Sequence, residues 1–285
     1  MANIRLIRRR IRSLQNTAKI TKAMEMIAAS KMRRTQMRAL AARPYAQRVQ
    51  ELLSHLAAIQ REDEPVHPLL EHRPIEKVAI VHFTADRGLC GGLNANVNRR
   101  TLSLIKEVDK PVSVVAVGRR GRDFAARYLG GMAAEFTGLG DKAGIADIHP
   151  IAHLIVEDYI GRAVDKVYLV YPQFISTAVQ RPVVQTLLPI EPARLEVPVA
   201  EYIWEPDSPQ VLSALLPRYV EMQLYHAYLE EVASEQSARM VAMRSATDNA
   251  KELTTELTLA YNKARQEAIT TELLDVVGGA AALEG

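Results

Sequence analysis

The sequence has 285 residues, 48% of them hydrophobic and 24% charged, with a net charge of +3 at pH 7. That balance is ordinary for a folded protein, leaves a sizeable core and is too small in charge to identify a partner. One cysteine excludes an internal disulfide and points to a reducing compartment, and no run approaches the ~20 apolar residues of a membrane-spanning helix.

Residues 3 to about 59 contain no Gly and a single Pro, Pro44. Apolar residues recur at Ile4, Ile7, Ile11, Leu14 and Ala18, then change phase to Ile20, Met24 and Ile27. The alternation of three and four predicts a long helix with a coiled-coil seam, and the change of phase predicts a stutter. Residues 1–40 hold eleven basic side chains against one acid, Glu25. An Arg-rich, acid-poor start has the composition of an organellar transit peptide. The unbroken helical pattern that follows makes it part of the folded chain instead. Pro65, Pro68 and Pro74 then punctuate the stretch 62–74 and end the helical region.

Residues 75–205 read as α/β. Strands are expected at 77–83, 112–117 and 166–171, and helices at 93–107, 119–129 and 147–163. Strand alternating with helix implies a mostly parallel sheet. The run 177–190, with Pro182 and Pro189, reads as an edge strand or hairpin.

Asp207-Ser208-Pro209 offers a cap followed by Pro at the first helical position. Pro217 is expected to kink or restart that helix. From Met222 the heptad runs through Tyr225, Leu229, Val232, Gln236, Arg239, Met243, Ala246, Ala250, Leu253, Leu257, Ala260 and Ala264, then shifts to Ile269, Leu273 and Val276. From Asp207 onward there are six basic residues and twelve acidic ones, the opposite bias to the first helix. The fold expected is therefore α/β plus a long antiparallel coiled coil. Its parts are a helix over 1–60, a Rossmann-like α/β domain over 61–206 and a second helix over 207–285.

No constellation in the sequence reads as an active site. The loop Thr84–Asn94 follows a strand, precedes a helix and is rich in glycine, so it has the setting of a phosphate cradle. It matches neither phosphate-binding glycine pattern, and a tight turn or contact loop is the competing reading. Cys90 in that loop reads as a small passive residue, since nothing places a His beside it. His149 and His153 are spaced i, i+4, but Pro150 is expected to interrupt their helix; His67 and His72 lie in a charged loop. No carboxylate or thiol cluster completes a metal site around any of them. The basic first helix raises nucleic-acid binding, yet it has no aromatic residue for stacking before Tyr45 and faces an acidic partner helix.

The segment Ile11–Met32 (IRSLQNTAKITKAMEMIAASKM) closely resembles the N-terminal helix of F-type ATP synthase gamma subunits. Asp86–Asn94 (DRGLCGGLN) resembles that family's first strand–helix turn. Ser234–Ala250 (SEQSARMVAMRSATDNA), then Tyr261–Gln266, Ile269-Thr270 and Glu272, is similar to its C-terminal signature.

The resemblance implies a non-catalytic rotor shaft without a cofactor, turning inside a ring of alpha and beta subunits, with ATP chemistry on beta. It implies contacts with the epsilon subunit and the membrane c-ring at the foot, on the cytoplasmic face of a bacterial membrane. Lys22 and Met24 would face the beta lever region, and Arg239, Arg265, Gln266, Thr270 and Glu272 would contact the ring higher up. Arg87 and Cys90 of the glycine loop, together with Tyr202, would be foot contacts. Small residues near the end, Ala280 to Ala282, would suit a bearing. Pro217 departs from the family pattern, and a lone Cys90 leaves no dithiol switch.

Overall fold

In the computed structural model the Gly-free opening stretch is one helix, α1 (Ile4–Ile59), and the heptad-patterned end is another, α5 (Ser208–Glu284). The structure describes residues 4–59, 67–191, 205 and 207–284, the side chains of 43, 46, 57–59 and 281–284 excepted. Asp207 caps α5 as expected: its Oδ1 accepts from the Gln210 N–H at 2.8 Å, and its Oδ2 accepts from the Gln210 amide at 2.7 Å.

Pro217 lies inside α5 without ending it, so the expected restart does not occur. Leu212, Leu216, Val220 and Leu224 around it are all buried. Four such side chains contribute roughly 1.5–3 kcal/mol each. That outweighs the ~3 kcal/mol that an interior proline costs. Pro44 is likewise carried within α1.

The chain divides into two compact units, residues 1–27 with 240–285 and residues 28–239. In the first, Thr21 and Thr247 meet hydroxyl to hydroxyl at 2.7 Å; one donates to the other, which in turn donates to a carbonyl of its own helix. The half-buried stripe on α1 runs Ile4, Ile7, Ile11, Leu14, Ala18, Thr21 and Met24 without a break in phase, while Ile20 and Ile27 are 60% and 56% exposed. The expected stutter is therefore absent. The three–four spacing simply continues through Thr21, whose hydroxyl finds a partner that an isoleucine would not need. On α5 the stripe is Met243, Thr247, Ala250, Thr254, Leu257, Tyr261, Ala264 and Ala268. The expected seam positions Leu253, Ala260, Ile269, Leu273 and Val276 are exposed. The pairing is antiparallel: counted from the Thr21–Thr247 contact, Ile4 falls level with Ala264, and beyond Ala268 α5 has no buried stripe.

The second unit holds a five-stranded sheet of order β3-β2-β1-β4-β5. Its strands are β1 (Val78–Phe83), β2 (Val112–Val117), β3 (Ala134–Phe136), β4 (Lys166–Phe174) and β5 (Gln180–Leu188). All neighbours are parallel except β4 and β5, which form an antiparallel hairpin with the Pro182-bearing strand at the sheet edge. Helices α2 (Leu93–Val108), α3 (Arg119–Tyr128) and α4 (Ile145–Ile160) connect the strands.

Alternate residues of β1 sort the two faces. Val78 and Ile80 pack with Val97 and Leu104 of α2. Ala79, Val81 and Phe83 face a larger core with Ile148, Ile151 and Ile155 of α4, Val49 and Leu53 of α1, and Leu216 and Leu224 of α5. The short strand β3 carries no apolar run and was not legible in the sequence. Pro150 sits inside α4 rather than interrupting it. It lies in the second turn, where Ile148, Ile151 and Ile155 are fully buried.

Candidate functional site

In parallel α/β sheets, ligands bind in the crevice beyond the carboxyl ends of the strands. Here β1 leads into the glycine loop and β2 leads through Gly118 into α3. Gly118 has φ +96°, and a Cβ there would lie 1.9 Å from the Thr84 carbonyl oxygen. Only glycine fits. The Thr84 hydroxyl accepts from the Gly121 N–H at 2.7 Å and donates to the Val117 carbonyl at 3.2 Å. Asp86 accepts from the Arg119 N–H and the Gly138 N–H, both at 3.0 Å. At the start of α3, where a phosphate would dock, the Arg119 N–H is thus taken by a carboxylate of the chain itself and the Gly121 N–H by the Thr84 hydroxyl.

The glycine loop is closed on itself. The Asn94 side chain accepts from the Ala85 N–H at 3.2 Å and donates to the Cys90 sulfur at 3.2 Å. Cys90 is buried, and burial pushes its thiol up, against a smaller downward pull from Arg239. A raised thiol is a poor nucleophile. Leu89 (φ +65°) turns outward at the tip and is exposed, as is Arg87.

The residues 231–239 of α5 cover the crevice. Glu231, Glu235 and Arg239 recur every four residues, on one face of the helix. Arg239 pairs with Glu235 and donates to the Gly88 carbonyl at 3.1 Å, so it fastens the glycine loop to the helix. A cavity of about 300 Å³ remains, bounded by these residues, Asp86, Asp141 and Lys31. Glu231 is wholly buried; burial first, then the charges of Glu235 and Asp86, hold its carboxyl well above the ordinary carboxylate range. Lys31 is paired with Asp141 at 3.2 Å. Across the sheet, burial lowers His82 to about 4, so it is a neutral link between Asn98 and Thr101.

The residues singled out from the sequence separate into two groups. Arg87, Cys90 and Arg239 belong to the crevice, so Arg239 lies with the glycine loop and not with the other α5 positions. In the helix-pair unit, Lys22 is exposed and bonded to Glu25 at 3.0 Å, and Met24 is half-buried in the seam. Arg265, Gln266, Thr270 and Glu272 are exposed on α5, where the Thr270 hydroxyl donates to the Gln266 carbonyl at 2.9 Å. Tyr202, and the side chains of Ala281 and Ala282, lie outside the described residues.

Sequence reasoning passed over Asp86, Glu231 and Glu235. The i, i+4 carboxylates ahead of Arg239 were the available signal. His67 also has a local task, its Nδ1 accepting from the Leu69 N–H at 3.2 Å to cap the turn Pro68–Leu70. Among the described residues no group of His, Cys, Asp and Glu has the arrangement of a metal site, and no helix is long and apolar enough to cross a membrane.

The profile of the family described as ATP synthase matches residues 3–283. A protein named ATP synthase gamma chain from Dehalococcoides mccartyi is 59% identical over 286 residues, covering 99% of this chain and 100% of that one. One of the same name from Desulfitobacterium hafniense is 50% identical over 284 residues, with complete coverage of both. The chain belongs to the ATP synthase gamma-chain family. Two solved structures share the fold. The central stalk of the Tetrahymena thermophila mitochondrial ATP synthase aligns with TM-score 0.61 at 24% identity, covering 80% of this chain and 99% of that one. A chain of the Euglena gracilis mitochondrial ATP synthase aligns with TM-score 0.67 at 18% identity, covering 98% and 94%. As a gamma chain it is a non-catalytic stalk subunit of the synthase.

Proposed function

We propose that the chain is the central rotor shaft of an F-type ATP synthase, working on the cytoplasmic face of a bacterial membrane. The helix pair stands inside the alpha/beta hexamer, and the sheet-bearing unit engages the epsilon subunit and the membrane c-ring. Proton flow turns the ring and the shaft with it, and the asymmetric shaft drives the beta sites through different affinities for nucleotide.

The observation that carries this reading is the helix pair itself. Its seam is closed by small and polar residues, Ala18, Thr21, Thr247 and Ala250, so two backbones lie close together. Two helices twisted about each other resist torsion better than one. Meanwhile Lys22, Arg265, Gln266, Thr270 and Glu272 stand clear of the seam, available to a surrounding surface at particular angles. Met24, half-buried on the seam edge, adds an apolar contact beside Lys22. Arg87, with the neighbouring Cys90 backbone and Tyr202, makes the foot contact.

The test is ATP turnover by co-expressed alpha and beta subunits, with and without this chain. One copy joining the hexamer and raising steady turnover supports the shaft. No complex and unchanged turnover would sink it. Gln266→Ala and Lys22→Ala are then expected to lower turnover while leaving assembly intact, since both side chains are exposed in the free chain.

A further inference from the structure

Glu231 stands out because no cation among the described residues is paired with it. It is 5% exposed, and its Oε1 is buried without a hydrogen-bond partner among the described residues. The two buried or half-buried cations of the cavity are committed elsewhere. From α5 itself, Arg239 is tied to Glu235 and to the Gly88 carbonyl. From α1, Lys31 is tied to Asp141, which comes from the segment between β3 and α4. Arg87 and Arg119 line the same cavity, and both are exposed to solvent. The remaining charges facing it are acidic: Asp86, already accepting two backbone N–H bonds, and Glu235. Tyr228 spends its hydroxyl on the Gly140 carbonyl, and burial raises its own titration far above neutrality.

A carboxylate buried among carboxylates is costly, and the lower-energy state is the neutral acid. Neutral Glu231 leaves Arg239 undivided between Glu235 and the glycine loop. Ionised Glu231 competes for the same guanidinium, and the bond that yields is the one to a neutral acceptor, the Gly88 carbonyl. We propose that Glu231 is a proton-operated latch: as a neutral acid it keeps the glycine loop, residues 86–92, fastened to α5 through Arg239, and its ionisation lets the loop go. The device belongs to residues 28–239 alone and does not depend on the shaft reading. In a complex, a partner that seats on the loop would favour the proton, and one that needs the loop free would expel it.

Amide hydrogen exchange on the full-length chain tests this. The reporters are the N–H groups of Ala85, Leu93 and Gly138, bonded to Asn94, to the Cys90 carbonyl and to Asp86. After correction for intrinsic base catalysis, their protection should fall by about tenfold per pH unit above the ordinary carboxylate range, the slope of one linked proton. Glu231→Gln, which copies the shape of the neutral acid, should flatten that slope and keep the loop protected. An equal pH dependence in both chains would overturn the latch. A second readout needs no variant in the measured sample: the carbon-13 resonance of the Glu231 carboxyl, followed with pH. Titration in the ordinary carboxylate range would overturn the proposal even if the variant failed to fold, and a markedly higher midpoint supports it.

Discussion

In residues 28–239, Ile80, Ile148, Ile151, Leu169, Leu216 and Leu224 are all completely buried. In the helix pair the deepest positions are Thr21, Met243, Thr247 and Ala250, and most of the stripe is only half-buried. A fully buried Leu or Ile contributes roughly 1.5–3 kcal/mol, whereas a hydroxyl–hydroxyl bond such as Thr21–Thr247 nets only ~1 kcal/mol. Two helices cannot enclose a core by themselves, so the pair has little apolar burial of its own. It keeps its outer faces, including Arg265, Gln266 and Glu272, open to a partner. The sheet-bearing unit does the reverse, narrowing even the crevice beyond its strand ends to a cavity of about 300 Å³ with its own side chains.

This contrast predicts a graded set of responses. Gly118→Ala should be the most damaging change. An alanine at φ +96° costs about 1–3 kcal/mol in backbone strain. Its Cβ would also meet the Thr84 carbonyl at 1.9 Å, which only a backbone shift relieves, so little folded protein is expected in thermal melts. Arg239→Ala comes next. It strips the partner from buried Glu235, at about 3–5 kcal/mol in denaturant titrations. Near-wild-type stability of either variant would show that the crevice is looser than its contacts imply.

Glu231→Gln has the opposite sign. The folded chain holds this proton to higher pH than the unfolded chain, whose carboxyl titrates near 4.5. Wild-type stability contributed by this group is therefore full below that pH and is lost as pH rises, until Glu231 ionises in the folded chain. The loss is about 1.4 kcal/mol per pH unit across that window. The glutamine variant should lack this loss and be the more stable chain at neutral pH, measured by denaturant midpoints across pH. The smallest effect belongs to the helix pair. Thr21→Val with Thr247→Val replaces both partners of one bond by side chains of the same shape, and should change global stability by less than about 1 kcal/mol. A larger loss would mean that the pair is coupled to folding far more tightly than its burial indicates.

Much of this was written in the sequence. The Gly-free opening and the heptads of the last eighty residues specify long helices, because hydrophobic periodicity is a local property. The β-rich runs at 77–83, 112–117 and 166–171 specify a mostly parallel sheet for the same reason, within a few residues of the observed strands. The quoted signature segments specified the family.

What the sequence could not determine was which side chains meet. A seam is fixed by the partner helix, so Thr21 took the place expected of Ile20, and Thr254 that of Leu253. Pro217 and Pro150 read as breaks because proline's local cost is visible, whereas the burial of Leu216 or Ile151 that offsets it is not. The crevice shows this most sharply. Asp86 and Arg239 are more than a hundred and fifty positions apart in the chain. Only the packing of α5 across the strand ends closes a phosphate-like loop with the protein's own charges and leaves Glu231 beside two other acids. Long-range contact sets desolvation, and desolvation decides which of these groups carries a charge.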